Sequence, residues 1–316
     1  MSAGARVVVC AYSEVGHAAL DELLAMGADV RLVVTHADAP GERIWFPSVA
    51  GRARTAGIPV LEPGDANAPE VLARVEAAGP DLFYSFYFRQ MLGRRLLALP
   101  RLGALNLHGS LLPRYRGRAP VNWALVHGEK ETGVTLHYMD EKPDHGDVVG
   151  RRRVPIERDD TALTLTRKLA AAGRLLLREL HPRLVAGTAP RRPQDHAHAS
   201  YFGGRRPADG EIDWAQPAEA IRNLVRAVTE PWPGARSQLG GATLLVWSAE
   251  THPGPADAPP GTLRLAEDGT PRVATGEGWL ELVRAGAPGG EPEPGARWAR
   301  ARGVRSGDRF GVSGAG

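Results

Sequence analysis

Cysteine is almost absent from the 316-residue sequence, which contains only Cys10. A single thiol excludes an intrachain disulfide, a CxxC redox pair and any multi-thiolate zinc site, and it predicts a reducing compartment. Long apolar runs are missing too. No stretch approaches the roughly 18 uninterrupted apolar residues of a membrane span, and the run from Val7 to Tyr12 is too short for the core of a secretion signal. A cytoplasmic chain without a membrane partner is therefore expected. Charge of one sign is nearly balanced, 39 Lys and Arg against 36 Asp and Glu, and the net +3 gives no global attraction for nucleic acid. No nucleic-acid partner is expected. Lysine is scarce, so the isoelectric point near 9.2 reflects an Arg-rich composition rather than a basic surface. The common nucleotide fingerprints are also lacking. The turn from Ala11 to Gly16 has no GxGxxG, and GxxxxGK[ST] occurs nowhere, which leaves nicotinamide and P-loop chemistry without support.

What the chain has is core material, 43% hydrophobic against 24% charged residues, in a length that suggests two domains. Val7–Tyr12 and Val30–Thr35 are short β-branched runs, and between them Leu20, Leu23 and Leu24 recur at helical spacing. The alternation continues through helices at 50–56, 69–78 and 91–99 and strands at 58–61, 81–88 and 103–108. Strands alternating with helices predict an α/β fold with an open, mostly parallel sheet. Then come a short helix at 121–126, strands at 133–139 and 148–156, and a long amphipathic helix at 163–185 capped by Asp159 and Asp160. After Ile212 the texture changes to one helix around Ile221–Val228 and short strands at 242–248, 261–266 and 280–283, the signature of a small barrel-like β domain. The expected division is 1–200, 201–305 and a loosely ordered Gly/Pro/Arg-rich tail at 306–316.

The segment from Gly103 to Pro120 carries the chemistry. In a strand over 103–108, Asn106 and His108 project from one face, at the carboxyl end where open α/β sheets place ligands. An amide suits an oxyanion developing on a carbonyl, and an imidazole suits proton transfer. Asp144, in the turn Glu141 to Asp147, is a third candidate, of a residue type able to orient His108 or to receive a proton through it, although an Asp in a Pro/Gly turn is commonly a turn-former. His196 and His198 have ligand spacing but no third partner nearby, so no metal is expected. Trp214, Trp232 and Trp247 read as core residues.

Asn106–Pro113, Arg116-Gly117, Glu131–Leu136, Asp144–Gly146, Ile212–Trp214 and Pro231–Ala235 resemble the signature of the formyltransferases that use 10-formyltetrahydrofolate. The resemblance spans about 280 residues. It implies a Rossmann-like, doubly wound domain followed by an OB-type β domain, with 10-formyltetrahydrofolate as cosubstrate. The family's catalytic Asn, His and Asp fall on Asn106, His108 and Asp144, and the pterin is implied to lie beside Phe88, Arg89, Met91 and Tyr138.

Within the family, Thr35–Glu42, Ser85–Arg89, Gly117–Trp123, Phe202-Gly203 with Arg205, and Val246–Ser248 resemble the branch that formylates UDP-4-amino-4-deoxy-L-arabinose in polymyxin resistance. That implies a nucleotide-linked amino sugar as acceptor, met by Ser110, Arg114, Arg118, Arg205 and Arg206. Residues 151–206 hold 13 Lys and Arg against 5 Asp and Glu, a region able to attract a pyrophosphate or a folate tail. The alternatives are methionyl-tRNA formyltransferase, 10-formyltetrahydrofolate hydrolase and a folate-sensing module without activity. The stretch 37–47 holds one Arg and no Lys against Asp38 and Glu42, which disfavours tRNA phosphates.

Overall fold

The computed structural model describes residues 4–39 and 41–311. Its contacts divide the chain into two compact units: 1–120, 131–156 and 164–203 form the first, and 121–130, 157–163 and 204–316 the second.

The first unit is built on a seven-stranded sheet ordered β3-β2-β1-β4-β5-β7-β8. Its members are β1 (Arg6–Ala11), β2 (Asp29–Val34), β3 (Val60–Leu61), β4 (Leu82–Phe86), β5 (Ala104–His108), β7 (Glu131–Tyr138) and β8 (Val148–Pro155), and a two-residue β6 (Arg116–Gly117) stands apart. From β3 to β5 all pairings are parallel; β7 and β8 are antiparallel additions. Val7, Val8, Val9 and Leu82 to Tyr84 are all fully buried, as strands covered on both faces require. The intervening helices are α1 (Ser13–Ala25), α2 (Val49–Thr55), α3 (Pro69–Ala78) and α4 (Arg94–Leu97). Helix α1 buries Val15, Ala19, Leu20 and Leu23 on one stripe, and α3 starts on Pro69 and stops at Gly79, whose φ of 58° suits glycine. Val71, Leu72 and Val75 of α3 join Val8, Leu32, Phe83 and Ala104 in one core cluster. Each of the Val, Leu and Phe side chains contributes about 1.5–3 kcal/mol on burial.

The next helices are α5 (Pro120–Val126), which passes into the second unit, and α6 (Ala162–Val185), the long amphipathic helix the sequence predicts. Gly150 and Gly173 let α6 approach the sheet: a Cβ at either would lie 2.7–2.8 Å from Leu180 or Leu107. Tyr201–Phe202 form β9, which pairs with β6 in parallel.

The second unit contains α7 (Ala218–Val228) and an antiparallel sheet of β10 (Ala235–Leu239), β11 (Ala242–His252), β12 (Leu263–Leu265), β13 (Pro271–Ala274), β14 (Trp279–Gly286) and β15 (Glu293–Pro294), followed by α8 (Gly295–Ala301). The order β10-β11-β14-β13-β12 makes a curled half-barrel. The α/β class, with a mostly parallel Rossmann-like sheet and a barrel-like β unit after it, is the architecture observed.

Several local expectations differ from the structure. Strand β4 ends at Phe86 rather than residue 88, because Tyr87 turns into the left-handed region at φ 54°. The helix expected at 91–99 covers only Arg94–Leu97, between Gly93 and Pro100. Strand β10 carries too many polar residues to announce itself, and β13 is four residues long and begins on Pro271. The tail expected to be loose is fixed through residue 311: Phe310 is buried, and its N–H donates to the Gly261 carbonyl at 2.8 Å. Residues 312–316 lie outside the described residues.

Candidate active site

The site is assembled at the carboxyl end of β5, where the parallel part of the sheet meets the antiparallel part. Register sets its members side by side: Asn106 stands between Ser85 of β4 and His137 of β7, and His108 lies opposite Thr135. The turn between β7 and β8 brings Asp144 back over the strand end. That turn closes tightly, since a Cβ at Gly146 would lie 2.1 Å from the Tyr138 carbonyl oxygen.

The Asp144 carboxylate is the hub. It accepts the Gly117 N–H at 2.8 Å and the Asn106 amide at 3.2 Å, with His108 Nδ1 at 3.4 Å and His137 Nε2 at 3.5 Å. Burial alone would raise its pKa. The charge that His108 carries when protonated, the hydrogen bond and charge of His137 and the Gly117 N–H outweigh burial and hold the carboxyl well below the usual range. His108 is itself buried, with its second nitrogen, Nε2, 2.7 Å from the Tyr115 carbonyl. The Asn106 amide nitrogen also lies 3.2 Å from His137 Nε2. Asn106, His108 and Asp144 thus converge within one hydrogen-bonded cluster.

Two members of this cluster escaped the reading of the sequence. His137 follows the Glu131–Leu136 run, and its partner register was the signal that would have found it. Gln194 lies in an irregular segment and carried no signal at all. Its amide nitrogen donates to the carbonyls of Asp144 and Gly146 at 2.9 and 2.7 Å, and its oxygen accepts from Arg116 at 2.6 Å. Arg116 is fully buried, and it also donates to the Tyr201 hydroxyl at 2.5 Å and lies 2.9 Å from His196 Nδ1. A buried guanidinium with neutral partners is costly unless fully bonded, and here it anchors the Asp144 turn from behind.

Backbone strain gathers at the same place. Among the described residues five non-glycines have positive φ, and four of them are Tyr87, Tyr115, Ala119 and Asp144. Conformations of this kind cluster at functional sites.

The remaining candidates are placed as follows. Phe88 stacks on His36 with ring centroids 4.1 Å apart, and the Arg89 guanidinium pairs with Glu42 and lies 4.4 Å from the Tyr12 ring centre. Met91 is 55% exposed. The Tyr138 ring is covered by Arg191, 4.4 Å from its centre. The Ser110 hydroxyl is buried and donates to the Arg114 carbonyl at 2.6 Å, so it fastens the loop. Arg114 and Arg118 are exposed, and Arg118 N–H bonds the Phe202 carbonyl at 2.9 Å. Arg205 and Arg206 belong to the second unit, where Arg205 lies 4.6 Å over the Trp123 ring. Burial, against a weaker pull from Asp209, lowers the Arg205 pKa.

A doubly wound sheet with a polar cluster at its strand ends, followed by an antiparallel half-barrel, defines a two-part α/β enzyme. More narrowly, the chain belongs to the formyl transferase family: the formyl transferase model matches residues 5–180, and the formyl transferase C-terminal domain matches 205–303. Solved structures share the fold. WlaRD, a sugar 3N-formyl transferase crystallised in the presence of dTDP and 5-N-formyl-THF, superposes with a TM-score of 0.68 at 17% identity over 89% of this chain and 97% of its own. An N-formyltransferase from Helicobacter canadensis, in complex with folinic acid and dTDP-3-aminofucose, gives 0.67 at 19% identity over 89% and 98%. HypX from Aquifex aeolicus in complex with tetrahydrofolic acid gives 0.65 at 19% identity; 96% of this chain matches 49% of that longer one. Among the described residues no helix is long and apolar enough to cross a membrane.

Proposed function

We propose that the chain transfers a formyl group from 10-formyltetrahydrofolate to the primary amine of a nucleotide-linked amino sugar, with UDP-4-amino-4-deoxy-L-arabinose the first acceptor to try. The observation that carries this reading is the convergence of Asn106, His108 and Asp144 at the end of β5. The neutral amine attacks the formyl carbon and forms a tetrahedral oxyanion. Asn106 donates to that oxygen, while His108, oriented by Asp144, takes the ammonium proton and delivers it to the departing folate nitrogen. The products are a formamide and tetrahydrofolate, and no further reactant is needed.

A folate fits the residues present. Met91 offers exposed apolar surface in the segment that follows β4, and a flat pterin between the β4 exit and the 138–144 turn would cover it. The similarity to sugar N-formyltransferases crystallised with dTDP or dTDP-3-aminofucose supports the acceptor class.

The test mixes the protein with 10-formyltetrahydrofolate and, separately, UDP-4-amino-4-deoxy-L-arabinose, a dTDP-3-amino sugar, initiator methionyl-tRNA or no amine, and follows tetrahydrofolate by absorbance. Turnover with an amino sugar nucleotide, lowered two or more orders of magnitude by Asn106→Ala with the melting temperature kept, is the expected result. Turnover with tRNA alone, or equal turnover without amine, overturns the reading in favour of a tRNA formyltransferase or a hydrolase.

A further inference from the structure

Tyr87 is a residue that neither the fold nor the mechanism above explains. It follows β4 directly, at φ 54°, a region that bulky aromatic residues rarely adopt. It stands one residue past the last paired position of β4, Phe86 opposite Leu107, and Leu107 directly precedes His108 on β5. The ring is turned so that its hydroxyl presses on Gly109: a Cβ there would lie 2.0 Å from the Tyr87 oxygen and 3.6 Å from Pro120 Cγ. Residue 109 must therefore be glycine for this tyrosine to lie where it does. The hydroxyl is buried and has no hydrogen-bond partner. Only one other hydroxyl in that condition occurs among the described residues, Ser13, at the exit of the neighbouring strand β1 and also at positive φ.

A strained backbone that delivers an orphaned phenol to the catalytic strand end is a poor structural device. Phenylalanine would pack as well without the desolvated hydroxyl. It is a good device for meeting a ligand. Burial pushes the phenol pKa up, so the group stays protonated and can donate as well as accept. The pterin is assigned to the wall formed by Phe88–Met91 and the 138–144 turn, whereas the Tyr87 hydroxyl lies against Gly109, the residue that follows His108. The reactant left for that hydroxyl is the acceptor.

We propose that the Tyr87 hydroxyl is a hydrogen-bonding contact for the acceptor's sugar ring, fixing it so that its amine faces the formyl carbon beside His108. This rests on the formyl-transfer reading and adds to it a specificity-determining residue.

Tyr87→Phe isolates the hydroxyl. Rates are measured with 10-formyltetrahydrofolate saturating and UDP-4-amino-4-deoxy-L-arabinose or a dTDP-3-amino sugar varied, alongside calorimetric titration of folinic acid and the melting temperature. The expected outcome is a roughly tenfold or larger fall in kcat/KM for the sugar, with the folinic acid Kd within twofold of wild type and the melting temperature equal or higher. That last readout separates a ligand contact from a structural one, because losing an unpartnered buried hydroxyl does not destabilise. If kcat/KM stays within twofold of wild type, if folinic acid weakens as much as the sugar, or if the melting temperature falls, the proposal is overturned while the functional reading stands. A wild-type chain inactive on amino sugar nucleotides but active on another amine overturns both.

Discussion

Asp144 is the residue on which the others lean. Its carboxylate takes the Gly117 N–H and the Asn106 amide while sitting near two imidazoles, all at a left-handed backbone position. A carboxyl held below its free value stabilises the folded state by an amount fully present above the unfolded pKa near 3.8. That contribution is lost progressively as the pH falls below 3.8 and through the folded value. The loss therefore belongs to acid pH, not to neutral pH. Asp144→Asn should lower stability at neutral pH by an amount that does not shrink as the pH falls from 8 to about 5, where the neighbouring imidazoles gain charge, and the gap to wild type should narrow below pH 4 in urea titrations. A gap that narrows between pH 8 and 5 would contradict the assignment of an ionised Asp144. The sequence placed Asn106 and His108 on one strand face because period two is a local rule. Nothing local placed Asp144 beside them; that step came from family spacing, and the register of β5 against β7 supplies its physical basis.

At the scale of elements, the segment after α6 works on the site although it contains little regular structure. Strand β9 pairs with β6, fixing Gly117 where its N–H meets Asp144, and Gln194 clamps the Asp144 turn by two carbonyls. Gly117 at φ 97° is required there, since a Cβ would lie 2.3 Å from the Phe202 carbonyl oxygen. Gln194→Ala leaves the Arg116 guanidinium and two turn carbonyls short of partners, each worth about 1–3 kcal/mol when buried. The expected result is a ten- to hundredfold lower kcat, or about 1.4–2.7 kcal/mol, with KM near wild type because the turn orients a carboxylate and does not bind. An unchanged kcat beside a lowered melting temperature would reduce Gln194 to a structural role. Such residues are invisible in sequence for a physical reason: an amide in an irregular segment has no periodicity, and its partners are 48 and 50 residues away. Strands β1 and β2, by contrast, declare themselves by nearly continuous β-branched runs, and β5 by its alternation of Leu105 and Leu107 with Asn106 and His108.

Across the whole molecule, charge is dispersed. The basic excess over 151–206 suggested an anion-attracting surface, but the structure spends much of it on ion pairs. Arg174 and Arg178 close on the buried Glu22 at 2.9 and 2.7 Å, Arg152 reaches Glu179, Arg153 pairs with Glu131, and Arg191 with Asp147. After β2 the loop is held by acids: Glu42 binds Arg89, and Asp38 accepts the Tyr12 hydroxyl at 2.9 Å. The exposed pairs among these contribute little stability, yet all of them cancel the long-range field on which a polyanionic acceptor depends. An acceptor held by six to ten phosphate contacts loses roughly 10³–10⁵ in affinity between 50 and 200 mM salt. A nucleotide sugar has a single diphosphate to neutralise. For the amino sugar acceptor, kcat/KM measured over that salt range should therefore fall by less than about tenfold, with a log–log slope corresponding to one or two phosphate charges. A slope of six or more for whatever acceptor the chain turns over would mean that an extended nucleic-acid backbone is being read, and would return the choice to tRNA.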